Sequence, residues 1–329
     1  MNRITKVLVV FMLLATIGCG EKPTPSINPK ASEATTSKAK KIIGVSLLTL
    51  TNPFFKVIGD TIKEQAEKAG YSVEVVSGEF DVAKQQSQVK DFLVKKVAAI
   101  VLCPCDSRAI GAVIKEANQA GVPIFTADIA CLDPDAKVVS HIATNNYEGG
   151  KQAGFATIEA LGEAGGKVVI LDFRQAESCI LRVKGFKEVI DEHNKKSPGS
   201  KIIIVLELPG DGQKDKSQRM TEDALQSHSD LAAIFAINDP SALGARAALE
   251  RANKADAVKI IGFDGQPDGK QAIKEGKIFA DPVQFPDKIG IQTVKAMFDY
   301  FDGKIPPKEI LIPTGLYKKA DALNDKDLK

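Results

Sequence analysis

The sequence has no tryptophan, only three histidines and no strong excess of either charge. Its 44 basic and 42 acidic residues leave a formal net charge of +2, which gives no reason to expect nucleic acid or an acidic membrane surface as a partner. It also lacks a phosphate-binding loop, a dinucleotide-binding glycine motif, a Gly-x-Ser-x-Gly turn and a His-Glu-x-x-His motif. Its cysteines and histidines do not have the spacing of a zinc site. These absences disfavour an enzyme, and we expect neither a cofactor nor a metal.

The first nineteen residues are typical of an export signal. Arg3 and Lys6 precede an apolar run at 7–15, which is too short to be a permanent membrane span. The run ends in Thr-Ile-Gly-Cys at 16–19, which resembles the lipobox of bacterial lipoproteins, although Thr16 stands where Leu is usual. We therefore predict a lipoprotein signal peptide at 1–19, with Cys19 as the lipidation site. The alternative is a plain secretory signal. Both place the mature protein in the periplasm or at the cell surface, and a lipid on Cys19 would be its only membrane contact.

The rest of the chain divides into a tether and a folded part. Residues 20–40 are rich in Pro, Ser, Thr, Ala and Lys and have little to bury, which predicts a flexible tether. From residue 41, short apolar runs alternate with helical periodicity, beginning with a strand at 42–47 and a helix that starts at Asn52-Pro53 and stops at Gly70. This is the pattern of an α/β fold with parallel strands. About ten such repeats in 329 residues favour two sheets over one.

In open parallel sheets, ligands bind beyond the carboxyl ends of the strands. Several segments occupy such positions here, and they contain Asp and Asn side chains that can bind hydroxyl groups, together with the aromatic pair Phe54 and Phe55. Each residue taken singly is better explained as a cap or turn residue, but several of them at equivalent strand ends in both halves are harder to explain in that way. The segments are 49–55, 103–107, 128–131, Asn145, 173–180, 238–239, 264–265 and Gln284.

Five ordered motifs resemble the ribose-binding periplasmic proteins, which are type I solute-binding proteins of ABC importers. The resemblance covers residues 41–317 and implies two Rossmann-like lobes joined by a three-strand hinge near Thr144, Gln284 and Ile312. It implies an N-terminal lobe of 41–144 plus 285–312 and a C-terminal lobe of 145–284 plus 313–329. The motifs are Asn-Pro-Phe-Phe at 52–55, Ser-His-Ile-Ala at 140–143, Asn-Asp at 238–239 with Ala-Leu-Gly-Ala at 242–245, Gly-Phe-Asp-Gly-Gln-Pro-Asp-Gly at 262–269, and Gln-Phe-Pro-Asp at 284–287.

The resemblance also implies a set of sugar-binding residues. Phe54 or Phe55 would pack on the sugar ring, and Asn52 would lie near the rim of the cleft. The hydroxyl groups would bind to Asp128, Asn238, Asp264 and Gln284.

Three positions depart from the ribose-binding pattern. Cys103 stands in place of an Asn, while Ile129 and Ile180 stand in place of two arginines. Asp128 and Asp264 then need other partners, for which Arg174 and Arg182 are candidates. We therefore expect a deoxy sugar, a polyol or another small carbohydrate rather than ribose.

The function implied is an extracytoplasmic receptor, expected to be a monomer, that closes on its solute and delivers it to an ABC importer permease. The alternative is a sensing receptor of the same fold that acts on a chemoreceptor or a sensor kinase. A repressor effector domain is disfavoured because the signal peptide occupies the place of a DNA-binding motif.

Four cysteines remain after Cys19. Export makes a disulfide between Cys131 and either Cys103 or Cys105 possible, because all three follow predicted strands. Free buried thiols are the alternative.

Overall fold

The computed structural model describes residues 41–328, so the predicted signal peptide, Cys19 and the tether lie outside the described residues. The first part of the described chain alternates buried strands with amphipathic helices, as the periodicity predicts, and adds a strand at 140–144. Its elements are β1 (Ile42–Leu47), α1 (Pro53–Lys68), β2 (Ser72–Ser77), α2 (Val82–Val94), β3 (Ala99–Leu102), α3 (Gly111–Gln119), β4 (Ile124–Ala127) and β5 (Ser140–Thr144).

A second series of alternating helices and strands follows, and it begins with a helix. The elements of this second series are α4 (Asn146–Leu161), β6 (Gly166–Asp172), α5 (Glu177–Lys196), β7 (Ile202–Pro209), α6 (Lys214–Ser227), β8 (Leu231–Ala236), α7 (Asp239–Arg251), β9 (Lys259–Ile261), α8 (Pro267–Lys274) and β10 (Ala280–Val283).

The last part of the chain contributes to both series. Its elements are α9 (Pro286–Phe301), β11 (Glu309–Ile312), β12 (Gly315–Lys318) and α10 (Lys319–Asn324).

The strands form two separate six-stranded sheets. The first has the order β11-β5-β4-β3-β1-β2 and is parallel throughout. The second has the order β12-β10-β9-β8-β6-β7 and is parallel except for β12, which pairs antiparallel with β10. With helices packed on the sheets, the molecule consists of two α/β lobes. The predicted fold class is therefore confirmed.

The chain passes between the lobes three times. It leaves the first sheet after β5, returns to it between β10 and α9, and leaves it again between β11 and β12. These short segments lie side by side because β11 pairs with β5 and β12 pairs with β10. The first lobe thus depends on residues from both ends of the described chain.

Helix α1 places the first residues of the site. Its N-terminus is fixed by Asn52, whose Oδ1 accepts a hydrogen bond from the Phe54 amide at 2.9 Å, and by a proline at the first helical position. Its apolar face, which includes Ile58 and Ile62, is fully buried against the first sheet. Helix α9 crosses α1 closely at Gly290, where a Cβ would lie only 2.7 Å from the Cβ of Thr61. The start of α1 is therefore held rigidly at the edge of the sheet.

Within residues 41–328, no helix is long and apolar enough to span a bilayer.

Candidate functional site

A cavity lies between the lobes, at the carboxyl ends of the strands of both sheets. Residues of both lobes surround this cavity, as in sites that enclose one small ligand. From the first lobe it is lined by Leu48, Asn52, Phe54, Phe55, Phe80, Asp128 and Ile129, and from the second by Phe173, Ala176, Ser178, Cys179, Arg182, Gly212, Asn238, Asp264 and Gln284.

Asp128 directly follows β4 and points its carboxyl group into the protein. Its φ of 65° lies in the left-handed region, which Asp adopts more readily than most residues. Only 3% of the residue is exposed, and its Oδ1 is buried with no hydrogen-bond partner among residues 41–328. Burial raises the pKa of Asp128 to about 7, against the lowering effect of Arg182. This carboxyl group is an acceptor that the surrounding protein leaves open.

Asp264 faces the cavity from the end of β9 and has two partners. Arg182 Nη1 lies 3.2 Å from its Oδ1, and Gln284 Nε2 donates to the same oxygen at 2.6 Å. Burial raises the pKa of Asp264 to about 6, while Arg182 and Gln284 oppose that rise. Gln284 Oε1 is itself buried and has no partner in the described chain. Asp264 and Gln284 together can therefore accept hydrogen bonds from a hydroxyl group through more than one oxygen.

Arg182 lies in the second turn of α5 and is held on several sides. Its Nε donates to Asn146 Oδ1 at 2.8 Å, and its Nη1 donates to the carbonyl oxygen of Ile237 at 2.7 Å. The guanidinium carbon lies 3.9 Å from the ring centroid of Phe263, within cation–π range. With 3% exposure, this side chain is a fixed cation in the wall of the cavity.

Phenylalanine rings form much of the rest of the wall. Phe54 and Phe55 pack edge to face, with centroids 5.2 Å apart. Phe80 of the first lobe and Phe173 of the second lie 6.2 Å apart, so this pair spans the cleft. The apolar surface that a sugar ring needs is therefore present on both sides.

The two asparagines of the site also cap the N-termini of helices. Asn238 Oδ1 accepts from the Ser241 amide at 3.0 Å at the start of α7, and its Nδ2 donates to the Gly212 carbonyl at 3.1 Å. Asn52 caps α1 in the same way, because its Oδ1 accepts from the Phe54 amide. The structure thus shows these residues as both helix caps and cavity-lining groups.

The cleft is closed by direct contacts between the lobes. The Ser107 amide donates to the carbonyl oxygen of Gln175 at 2.9 Å, and the Ser107 hydroxyl accepts from the Glu177 amide at 2.9 Å. Glu177 is the first residue of α5, and the preceding Ala176 offers no side-chain cap. A serine of the first lobe therefore caps a helix of the second.

Eight of the ten predicted ligand-binding residues line this cavity, and two do not. Cys103 is fully buried beneath the site, where its carbonyl oxygen accepts from Gln85 Nε2 at 3.0 Å. Ile180 lies outside the lining because helical periodicity places it on the side of α5 opposite to Ser178 and Arg182. The eight that line the cavity are Asn52, Phe54, Phe55, Asp128, Ile129, Asn238, Asp264 and Gln284.

The inference that both cationic positions are lost is corrected in the second lobe. Arg182 supplies a cation to Asp264, so only the position beside Asp128, occupied by Ile129, is apolar. The other candidate, Arg174, pairs instead with Asp172 at 3.3 Å.

Of the two alternatives for the cysteines, the described residues show free thiols and no disulfide. All four described cysteines are free, and Cys103 and Cys105 pack in a different hydrophobic cluster from Cys131. Those clusters lie on opposite faces of the first sheet, because alternate residues of β3 belong to each. The sequence places all three cysteines after strands, but it does not show on which face of the sheet each thiol lies.

The comparisons with known proteins are consistent with this architecture. Residues 43–305 match a family model described as periplasmic binding protein domain. The ribose import binding protein of Salmonella typhimurium is 37% identical over 266 residues, which cover 80% of this chain and 86% of that protein. The D-apiose import binding protein of Paraburkholderia graminis is 32% identical over 291 residues, covering 87% and 90% of the two chains.

Solved structures show the same fold with small ligands. An ABC transporter solute-binding protein from Bacillus halodurans with bound myo-inositol aligns with a TM-score of 0.78 at 26% identity, covering 88% of this chain and 98% of that one. A carbohydrate transporter solute-binding protein from Agrobacterium radiobacter in complex with D-arabinose also gives 0.78 at 26% identity, covering 87% and 96%.

Proposed function

The chain belongs to the family of periplasmic binding protein domains, and we propose that it captures one small carbohydrate by closing its lobes and delivers it to an ABC importer. The observation that carries this proposal is the cavity at the strand ends, where carboxylates, amides and one guanidinium surround a space walled by phenylalanine. Such a set can bind the polar edges and the apolar face of one sugar. The protein is a solute-binding protein and not an enzyme.

Import is favoured over sensing by the relatives. Both curated relatives described above are named as import binding proteins, and the aligned structures are of transporter components. The partner that follows is a membrane permease, which would recognise the closed form of the two lobes.

Ribose is not the solute that this cavity favours. Ile129 places an apolar side chain directly beside the buried Asp128, so hydroxyls near it meet one charged group instead of two. A charged hydrogen bond is worth about 1.5–3 kcal/mol, enough to change which sugar binds best. We propose a small carbohydrate with a different polar pattern.

The site of action follows from the first residues of the sequence. A lipid on Cys19 would hold the receptor to the membrane, with residues 20–40 as the tether, in the periplasm or at the cell surface. A monomer is sufficient for this function, because both walls of the cavity come from one chain.

Isothermal titration against a panel of neutral pentoses, hexoses, deoxy sugars and polyols tests the proposed function. We expect saturable one-to-one binding of at least one member and weaker binding of D-ribose. Asp264→Asn should weaken the binding of that solute by roughly tenfold to a hundredfold, because it leaves Arg182 without its ionic partner. Asp230→Asn removes an exposed carboxylate outside the cavity and should leave the affinity unchanged. If no member binds, the carbohydrate receptor proposal is wrong.

A further inference from the structure

The charged groups that line the cavity do not balance. Among the described lining residues, only Asp128, Asp264 and Arg182 have side chains that are ordinarily charged at neutral pH, and each is at most 3% exposed. The cavity therefore contains two buried carboxyl groups and one guanidinium. Buried charges of this kind are stable only when each has a counter-charge or hydrogen-bond partners.

The guanidinium is committed to one of the two acids. Arg182 contacts Asp264 at 3.2 Å and also donates to Asn146 and to the Ile237 carbonyl. Neither oxygen of Asp128 receives a hydrogen bond from residues 41–328, and its Oδ1 is completely buried. Ile129, the neighbouring residue, offers no donor from its side chain. Asp128 is therefore the carboxyl group of the cavity that has no counter-charge of its own, and burial raises its pKa to about 7.

The aromatic walls of the cavity also suit a cation. Four phenylalanines line it, with Phe54 against Phe55 and Phe80 facing Phe173 across the cleft. The faces of aromatic rings attract ammonium groups, by about 2 kcal/mol or more when the pair is desolvated. These rings come from both lobes, so an ammonium group held in the cavity lies close to aromatic rings.

We propose that the solute carries a protonated amine in addition to hydroxyl groups, as in an amino sugar or an aminocyclitol, and that its ammonium group pairs with Asp128. This inference rests on the proposed carbohydrate-binding function of the same cavity. The hydroxyl groups of the solute bind to Asp264, Gln284 and Asn52, which the structure leaves accessible from the cavity. An ammonium group supplies both the missing positive charge and the missing donors, whereas a neutral hydroxyl supplies only a donor.

The same count of charged groups, two carboxyl groups and one guanidinium, excludes acidic sugars. A carboxylate or phosphate on the solute would add a third negative charge to a cavity that contains a single cation. Since that cation already pairs with Asp264, the additional anion would have no counter-charge.

Titration with matched pairs of ligands tests the proposal on the wild-type protein. The probes are D-glucosamine with D-glucose, D-galactosamine with D-galactose, D-mannosamine with D-mannose, and an inosamine with myo-inositol. We expect the amine to bind roughly tenfold to a hundredfold more tightly than its neutral counterpart in at least one pair. If the neutral member binds as well or better in every pair that binds, the amine proposal is overturned while the receptor function stands. If no member of any pair or of the neutral panel binds, the receptor function itself fails.

Asp128→Asn then identifies the group responsible. Asn has the same shape and also tolerates the left-handed backbone at this position, so the variant should fold, which its thermal unfolding checks. We expect it to reduce the affinity for the amine by roughly ten- to a hundredfold and to affect the neutral partner much less. Asp230→Asn, with the same loss of charge at the surface, should preserve the preference. An Asp128→Asn protein that still prefers the amine would overturn the assignment.

Discussion

At the scale of single residues, the second lobe contains acids that the ligand site does not use. Asp281 in β10 is completely buried, and its carboxyl group lies within hydrogen-bonding reach of the Asp239 carboxyl group. Asp239, at the start of α7, is similarly buried and lies close enough to Asp281 and Asp264 for their charges to raise its pKa. Burial raises the pKa of Asp281 to about 7, and burial together with repulsion from Asp281 raises the pKa of Asp239 well above its ordinary value. Arg182 is the nearby cation, but it pairs with Asp264.

These raised pKa values predict how stability depends on pH. A carboxyl group whose pKa is raised by folding stabilises the folded state while it is protonated, and this stabilisation is lost as the pH rises through the folded-state pKa. We expect the free energy of unfolding to fall between about pH 4 and pH 7, because the pKa of Asp281 rises to about 7 on folding.

Asp281→Asn removes one titrating group from this region. The variant should be more stable than wild type above pH 7, on the order of 2–4 kcal/mol, and similar to it near pH 4. Urea unfolding at a series of pH values measures the difference, with the exposed Asp223→Asn as the control that should follow the wild-type curve. Parallel pH profiles for wild type and Asp281→Asn would contradict this explanation.

At the scale of elements, α5 is completed by the other lobe. The Ser107 hydroxyl caps its first amide, at Glu177, and the Ser107 amide binds Gln175 just before the helix. Opening the cleft would break both bonds and leave the helix N-terminus to water. The cap therefore stabilises the closed form in addition to the contacts made by the ligand.

Ser107→Ala should weaken ligand binding without altering the cavity wall. Loss of a helix cap costs about 1 kcal/mol, which corresponds to a roughly fivefold weaker affinity if the cap forms only on closure. Hydrogen exchange of the amides at the start of α5 should become faster in the ligand-bound variant. Ser227→Ala, in which the lost hydroxyl bonds only within its own helix α6, is the matched control. Unchanged exchange and affinity in Ser107→Ala would show that the cap does not support closure.

The same helix explains what the sequence could and could not predict. Strand periodicity predicted both sheets, and the rule for strand ends located Asp128, Asn238, Asp264 and Gln284, since each lies just beyond the carboxyl end of a strand. The start of helix α5 at Glu177 has no local signal in the sequence, because its cap comes from a serine 70 positions earlier. The position of Arg182 in the second turn of this helix, facing the cavity, could therefore not be located from the sequence.

Phe80 was missed for a related reason. It lies in a loop after β2, with φ of 60°, and neither strand periodicity nor a cap motif distinguishes it from other loop residues. It reaches the cavity only because the two lobes meet at Phe173. Contacts of this kind depend on the relative placement of lobes, which local sequence patterns do not encode.

At the scale of the whole molecule, the two lobes are joined by three short crossings and enclose the cavity between them. Closure about such crossings is a hinge motion in which a few residues change conformation while each lobe stays intact.

The anchor is tested on the complete precursor in its cells. Cys19→Ser should transfer the protein from the membrane fraction to the soluble fraction, because the acyl chains supply the binding energy, at about 0.8 kcal/mol for each buried CH₂. Immunoblotting of separated fractions measures the change. Cys131→Ser, which removes a partly buried thiol from the folded part, should stay with the membranes. Retention of Cys19→Ser in the membrane fraction would contradict lipidation at this residue.

The late return of the chain to the first lobe has a consequence for the order of folding. The sheet of that lobe is completed only when β11 pairs with β5, and the Ser140 hydroxyl bonds to the Pro307 carbonyl 167 positions away. Contacts this distant in sequence form slowly, because a long loop must close before they contribute any stability. During synthesis, the first lobe therefore cannot reach its final form until nearly the whole chain has left the ribosome. A precursor with this delay stays in a loosely folded state for longer, which is the state that a translocation channel accepts.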